Sequence, residues 1–268
     1  MPGMGLIDTH THLESFARSG EIPAVLQRAA AAGVEAMIAI GTDAEDWTLY
    51  RDLAGQHVGI VHYSVGLHPC SVDEGWAVRQ TLLEGYWNSS PRPVALGEIG
   101  LDRYHLPKND PAAAERILGW QRAAFAEGLA LARRLDCPVV IHSRDAFSEC
   151  VEMIDTSGVD WRKVVFHCFS GGPAEMAELN QRGGRGSITG IITYKNADAI
   201  RAAARAQGLD KLLLETDAPY LSPLPHRGKP NEPAFVRHTA EFCAGLLGID
   251  YERLAEATTR NARVFFGL

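Results

Sequence analysis

Gly5-Leu6-Ile7-Asp8-Thr9-His10-Thr11-His12 is a short run that starts apolar and ends polar, and its pattern decides the fold class. Side chains alternate across a strand, so a strand over Gly5–Thr11 presents His10 and, just beyond it, His12 on one face, where they can grip one ion together. The same design recurs along the chain. Candidate strands are Gly5–Thr11, Ala36–Ile40, Gly59–Gly66, Val94–Glu98, Pro138–His142, Lys163–His167, Gly186–Gly190 and Lys211–Thr216, with starts spaced 23 to 44 residues apart. Each gap leaves room for one helix. Apolar residues at Leu118, Phe125, Leu129, Ala132 and Leu135 predict a helix over Pro111–Leu135, and Val236, Ala240, Cys243 and Leu247 predict another over Pro233–Leu247. Eight strand–helix repeats are the arithmetic of a (β/α)8 TIM barrel, with an open doubly wound sheet as the competing α/β layout.

Composition agrees with that scale. The chain has 268 residues, about the usual length of one such barrel, and 46% are apolar, enough for one sizeable core. With no linker, low-complexity tract or internal repeat, residues 1–268 are expected to form a single domain. The start Met1-Pro2-Gly3-Met4-Gly5 lacks the basic and apolar segments of a secretory signal, and no apolar run reaches the ~18 residues of a membrane span. A cytoplasmic location with no membrane contact is the resulting expectation. Five cysteines without a CxxC pair fit reduced thiols better than a disulfide framework or a cysteine-rich zinc site. A net charge of −7 argues against broad electrostatic wrapping of duplex DNA. A local cationic site, or bound metal, would still admit nucleic acid.

The polar residues gather at the strand ends: His10 and His12, His68 in Gly66-Leu67-His68-Pro69, Glu98 in Gly97-Glu98-Ile99-Gly100-Leu101-Asp102, His142, His167, and Asp217 in Glu215-Thr216-Asp217. Five of the ten histidines fall in that set, a sorting that a functionless arrangement does not produce. In a barrel these ends meet at one mouth, where active sites of the fold lie. Four imidazoles and two carboxylates exceed the three protein ligands of one open zinc site. Two divalent ions account for them: His10, His12 and Asp217 on one, His142 and His167 on the other, Glu98 between them. The mixed N/O set suits Zn, Mn or Fe, with Mg where phosphate and water complete the shell.

Such a pair would activate a shared water to hydroxide and stabilise both attacking and leaving oxygens of a phosphodiester. Asp217 is the candidate general base. His68 is expected to contact the phosphate or leaving group, and Asp8 and Glu215 to lie behind the imidazoles or to serve as structural hydrogen-bond partners. The stretch Ala218–Pro233 is expected to be a long functional loop, in which Arg227 and Lys229 form a phosphate clamp. Arg144 and Lys195 are further substrate-binding candidates. Cys168 should pack away from the mouth.

The series DTHTHL (Asp8–Leu13), GLHP (Gly66–Pro69), GEIGLD (Gly97–Asp102), HSRDA (His142–Ala146), HCFSG (His167–Gly171), ETDAPYLSP (Glu215–Pro223) and RGKPNEP (Arg227–Pro233) resembles the TatD-type metal-dependent deoxyribonucleases. Thr258, Asn261-Ala262 and Phe266-Gly267 are similar to that family's last helix. The resemblance implies a (β/α)8 barrel of the amidohydrolase kind, hydrolysis of DNA, often as a 3′-to-5′ exonuclease, and metal ligands matching His10, His12, Glu98, His142, His167 and Asp217. The two-ion set beside a cationic loop in an acidic chain makes single-stranded or frayed ends the expected substrate. Glu14 and Arg103-Tyr104-His105 depart from its usual pattern. The alternatives are an acyl-ester hydrolase, such as a D-aminoacyl-tRNA deacylase, which would use the same centre on a carbonyl, and a metal-loaded scaffold without turnover. No obligate protein partner is evident.

Overall fold

A computed structural model describes residues 5–268; Met1–Met4, on which the reading of the N-terminus leaned, lie outside the described residues. All eight predicted strands form: β1 (Leu6–Thr11), β2 (Val34–Ala39), β3 (Val61–Val65), β4 (Ala95–Asp102), β5 (Val139–Arg144), β6 (Val164–Phe166), β7 (Arg185–Ile188) and β8 (Leu213–Leu214). They line up in sequential order β1 to β8 in one eight-stranded sheet, with helices in the connections. The paired strands run parallel. This is the (β/α)8 class read from the spacing.

The chain contacts group into two compact units. One contains the chain through Ala39, His57–His62 and His167–Leu268. Here β1 pairs with β2, β7 with β8, and Thr11 bridges in parallel to Ala218 just past β8. The last helix, Tyr251–Phe266, lays Leu254, Ala255, Ala262 and Phe265 into the interior. Its Asn261 Nδ2 donates to the carbonyls of Leu209 (2.8 Å) and Leu212 (3.0 Å), so this residue holds the entry to β8.

The other unit comprises Ile40–Gln56 and Tyr63–Phe166. Its long helix spans Pro111–Leu135, as the apolar spacing predicts, and Asp110 caps it by accepting the Ala113 amide at 2.9 Å. Leu118, Phe125, Leu129 and Ala132 are buried. The predicted helix over Pro233–Leu247 is instead a 3-10 turn, Pro233–Phe235, followed by an α-helix, Val236–Leu247.

The bounds of every strand shift from the sequence reading, and two of the shifts bear on the site. β4 continues past Glu98 to Asp102, because Gly100, Leu101 and Asp102 pair with His142, Ser143 and Arg144 of β5. β8 is only two residues long, because Glu215–Asp217 trades regular pairing for side-chain bonds: the Thr216 amide donates to Asp8 Oδ1 (2.8 Å) and its hydroxyl to Oδ2 (2.6 Å). Ala218–Glu232 contains no helix or longer strand, as the loop reading expects.

Candidate metal centre

In the first unit three donors converge. The Nε2 atoms of His10 and His12 are 3.3 Å apart, and Asp217 Oδ1 lies 3.6 Å from the first and 3.4 Å from the second. Two donors held 2.0–2.1 Å from a tetrahedral ion sit about 3.4 Å from each other. The His167 ring stacks on that of His10 at 4.0 Å, and His10, His167 and Asp217 together offer donor atoms within 4.8 Å of one another. The backbone sets this up. The Asp217 amide donates to the His10 carbonyl (2.9 Å) and the His12 amide to that of Ala218 (2.8 Å), which locks the loop after β8 to the end of β1. Buried Asn231 closes the loop from behind, donating to the carbonyls of Thr216 (2.9 Å) and Tyr220 (2.6 Å).

Burial alone would raise the Asp217 carboxyl, but a hydrogen bond from His12 and the charges of His10, His167 and His12 hold it below the usual carboxylate range. Glu215 plays two parts: its Oε1 accepts the Cys168 amide at 2.6 Å and lies 3.5 Å from His167 Nδ1, and its Oε2 accepts the Ser187 hydroxyl. Asp8 instead accepts the His10 and Thr216 amides and the Thr216 hydroxyl, and burial pushes its carboxyl up to about 8. A folded-state value raised above the unfolded one means that the folded chain holds the extra proton between about pH 4 and 8. Stability is therefore fully present below about pH 4 and lost as pH rises toward 8. Asp8→Asn mimics the protonated acid. Thermal unfolding of metal-stripped protein is expected to show the variant gaining on wild type as pH rises from 4 to 8; parallel profiles would show that Asp8 is ionised in the fold.

The second unit builds a matching cluster around Glu98. Its Oε1 lies 2.7 Å from His142 Nδ1 and 3.4 Å from His68 Nε2, and the two imidazole nitrogens are 3.1 Å apart. The Glu98 amide donates to the Gly41 carbonyl and the His68 amide to that of Thr42, both at 2.9 Å, which fixes the two strand ends. The Gly66 position has no room for a side chain: a Cβ would fall 2.5 Å from the Gly97 carbonyl carbon.

Tautomers follow from the other ring nitrogens. His142 Nε2 lies 3.0 Å from Asp102 Oδ2, so it is the donor, and Nδ1 turns its lone pair toward Glu98. Two acceptors then face each other at 2.7 Å, an arrangement that a cation between them resolves. The donor set thus fits a divalent ion in this unit as it does in the first. His68 differs. Its Nδ1 accepts the Cys70 amide at 3.0 Å, so the neutral ring carries its proton on Nε2 and presents a donor, not a ligand, to the cluster.

Asp102 was legible as the end of GEIGLD but had no role assigned. It is fully buried and receives His142, the His105 ring (2.9 Å) and the His105 amide (2.8 Å). Burial would raise its carboxyl, yet the hydrogen bonds from His142 and His105 hold it well below the usual range. Gln121, buried in the long helix, accepts the Asp102 amide at 3.0 Å and donates to the Pro69 carbonyl at 3.2 Å, tying the ends of β3 and β4. A glutamine on an otherwise apolar helical face is the signal that marks it.

The cationic candidates are spread over exposed positions. The Arg144 guanidinium lies 4.3 Å from the centroid of the exposed Tyr104 ring, with Lys108 on the same ring at 4.9 Å. Arg227 stacks on Tyr194 at 4.3 Å. Lys195 and Lys229 are exposed. Cys168 is half-buried, with its thiol 3.9 Å from the Thr189 hydroxyl.

A parallel α/β barrel fold that sets histidines and carboxylates at its strand ends is that of the metal-dependent hydrolases. The profile described as "TatD related DNase" matches residues 7–267, and the chain belongs to that family of metal-dependent hydrolases. It is 37% identical to the "Uncharacterized metal-dependent hydrolase YcfH" of Escherichia coli K12, over 98% of this chain and 96% of that one. It is 32% identical to the "3'-5' ssDNA/RNA exonuclease TatD" of Erwinia amylovora, over 98% and 100%. The crystal structure of the TatD homologue YjjV from E. coli superposes with a TM-score of 0.88 at 30% identity, covering all of both chains. Among the described residues no helix is long and apolar enough to cross a membrane.

Proposed function

We propose that this chain, as one catalytic domain, hydrolyses phosphodiester bonds of single-stranded or frayed DNA from the 3′ end with two divalent ions, Zn, Mn or Mg. His10, His12 and Asp217 would hold one ion, His142 and His167 the other, with Glu98 shared. The observation that carries the reading is the convergence of His10, His12 and Asp217 at ligand-to-ligand spacing, while the second unit sets the Glu98 and His142 acceptors face to face. The name carried by the Erwinia relative supports nucleic acid as substrate.

When bound, the ions supply charge to stabilise the phosphorane-like transition state and make water acidic enough to attack at neutral pH. The chain's own residues do the rest. Asp217, held ionised, accepts the proton of the attacking water. His68, with its proton on Nε2, donates toward the phosphate or the leaving oxygen. Asp102 holds His142 in the tautomer that presents the Nδ1 lone pair as a ligand. Arg144, Lys195, Arg227 and Lys229 pair with backbone phosphates.

The test is time-resolved sizing of products from oligonucleotides labelled at either end, run with Mg, Mn and Zn. Shortening from the 3′ end, abolished by chelator and by Glu98→Ala in a folded chain, is expected. Intact but deacylated RNA would favour the acyl-ester reaction, and stable binding without product the scaffold. Arg227→Ala should weaken binding of single-stranded DNA and flatten the slope of log affinity against log salt by about 0.7. An unchanged slope would return Arg227 to a plain surface contact with Tyr194.

A further inference from the structure

A third group of donors stands outside the six assigned above. Cys70 Sγ lies 3.5 Å from Asp102 Oδ2 and 3.6 Å from His105 Nδ1, and these last two atoms are 2.9 Å apart. Around a tetrahedral zinc, with sulfur at about 2.3 Å and nitrogen or oxygen at about 2.0 Å, sulfur sits about 3.5 Å from its neighbours. The group is anchored before any ion arrives. Cys70 lies in the 3-10 turn Pro69–Ser71, whose amide reaches His68, and the His105 amide is fixed on Asp102 Oδ1 at 2.8 Å.

Hydrogen bonding alone leaves this cluster over-supplied. A carboxylate oxygen has two lone pairs. Yet Asp102 Oδ2 faces His142 Nε2 at 3.0 Å, the His105 ring and the Cys70 thiol. Replacing the thiol and His105 protons by one cation leaves that oxygen a single coordinate bond and a single hydrogen bond, from His142. Cys70 and His105 are exposed, so an ion has a route in and water can complete its shell. Thiolate with imidazole selects the zinc class of ions over magnesium or calcium.

We infer that Cys70, Asp102 and His105 form a third cation site for one zinc-class ion, separate from the six-donor set. On binding, the Cys70 S–H bond breaks and its proton passes to solvent, the His105 ring exchanges its Nδ1 proton for one on Nε2 through solvent, and the sulfur and Nδ1 electron pairs form the bonds to the metal. No electron transfer is involved. The inference does not rest on the nuclease reading, because its readout is binding rather than hydrolysis.

Chelator-stripped protein titrated with Co²⁺ is the test. A near-ultraviolet thiolate-to-cobalt charge-transfer band is expected, saturating at one thiolate-bound ion per chain. It should vanish in Cys70→Ser, weaken in His105→Ala and persist in Cys168→Ser, whose thiol follows His167. Zinc retained after dialysis should fall by one ion per chain in Cys70→Ser. Absence of the band, its survival in Cys70→Ser, or its loss in Cys168→Ser would overturn the site.

Discussion

Asp217→Asn is expected to cut hydrolysis of a single-stranded oligonucleotide by about 10³-fold or more, within the range for loss of a general base and compounded by loss of a ligand. The substitution isolates charge from shape. Asp217 sits at φ 55°, a left-handed conformation that asparagine tolerates better than other replacements, so the loop should keep its path. The amides holding it, Asp217 to His10 and His12 to Ala218, are backbone bonds that the change leaves in place. What disappears is the negative charge 3.4–3.6 Å from two imidazoles. Bound metal should fall as well, since the first cluster loses its anionic donor. Three measurements separate the causes: kcat on labelled DNA, metal content by elemental analysis, and the unfolding temperature of stripped protein. Wild-type turnover with the amide in place would remove Asp217 from the chemistry altogether.

The sequence exposed some of this centre more readily than the rest, and the division has a physical basis. Strand-end positions of His10, His12, Glu98, His142, His167 and Asp217 follow from period-two alternation and repeat spacing, both local properties. Partnerships between ring nitrogens do not. That the Cys70 amide sets the His68 tautomer, or that Asp102 takes the Nε2 proton of His142, depends on contacts across 40 positions or within one 3-10 turn. Asp8 and Glu215 illustrate the same limit. In the sequence both read alike, as residues behind the imidazoles or as structural partners, whereas Asp8 binds Thr216 and Glu215 reaches His167. β4 also ran longer than its apolar pattern, because pairing with β5, rather than side-chain hydrophobicity, sets where that strand stops.

Gly100→Ala is expected to carry a stability effect far larger than a single methyl group usually brings. Gly100 lies at φ +147° opposite His142 in the β4–β5 ladder, and a Cβ there would fall 2.0 Å from the His142 carbonyl oxygen. Neither partner can yield cheaply. The next rung pairs Leu101 with Ser143, and the preceding one pairs Ile99 with Ile141, so relief requires parting two strands. Such a backbone clash belongs to the exceptional class of substitutions costing more than about 4 kcal/mol. Parting the strands would also move His142 off Glu98 and Asp102, so metal retention should fail together with folding. Gly119→Ala supplies the contrast. It is exposed in the Pro111–Leu135 helix with nothing beyond its chain neighbours and the helix's own backbone within 4 Å of the added carbon, and should gain up to about 1 kcal/mol from helix propensity. Chemical denaturation of the two variants side by side is the measurement. A Gly100→Ala protein that unfolds at the wild-type midpoint and keeps its metal would mean that β4 does not approach β5 this closely, and that the placement of Glu98 beside His142 is wrong.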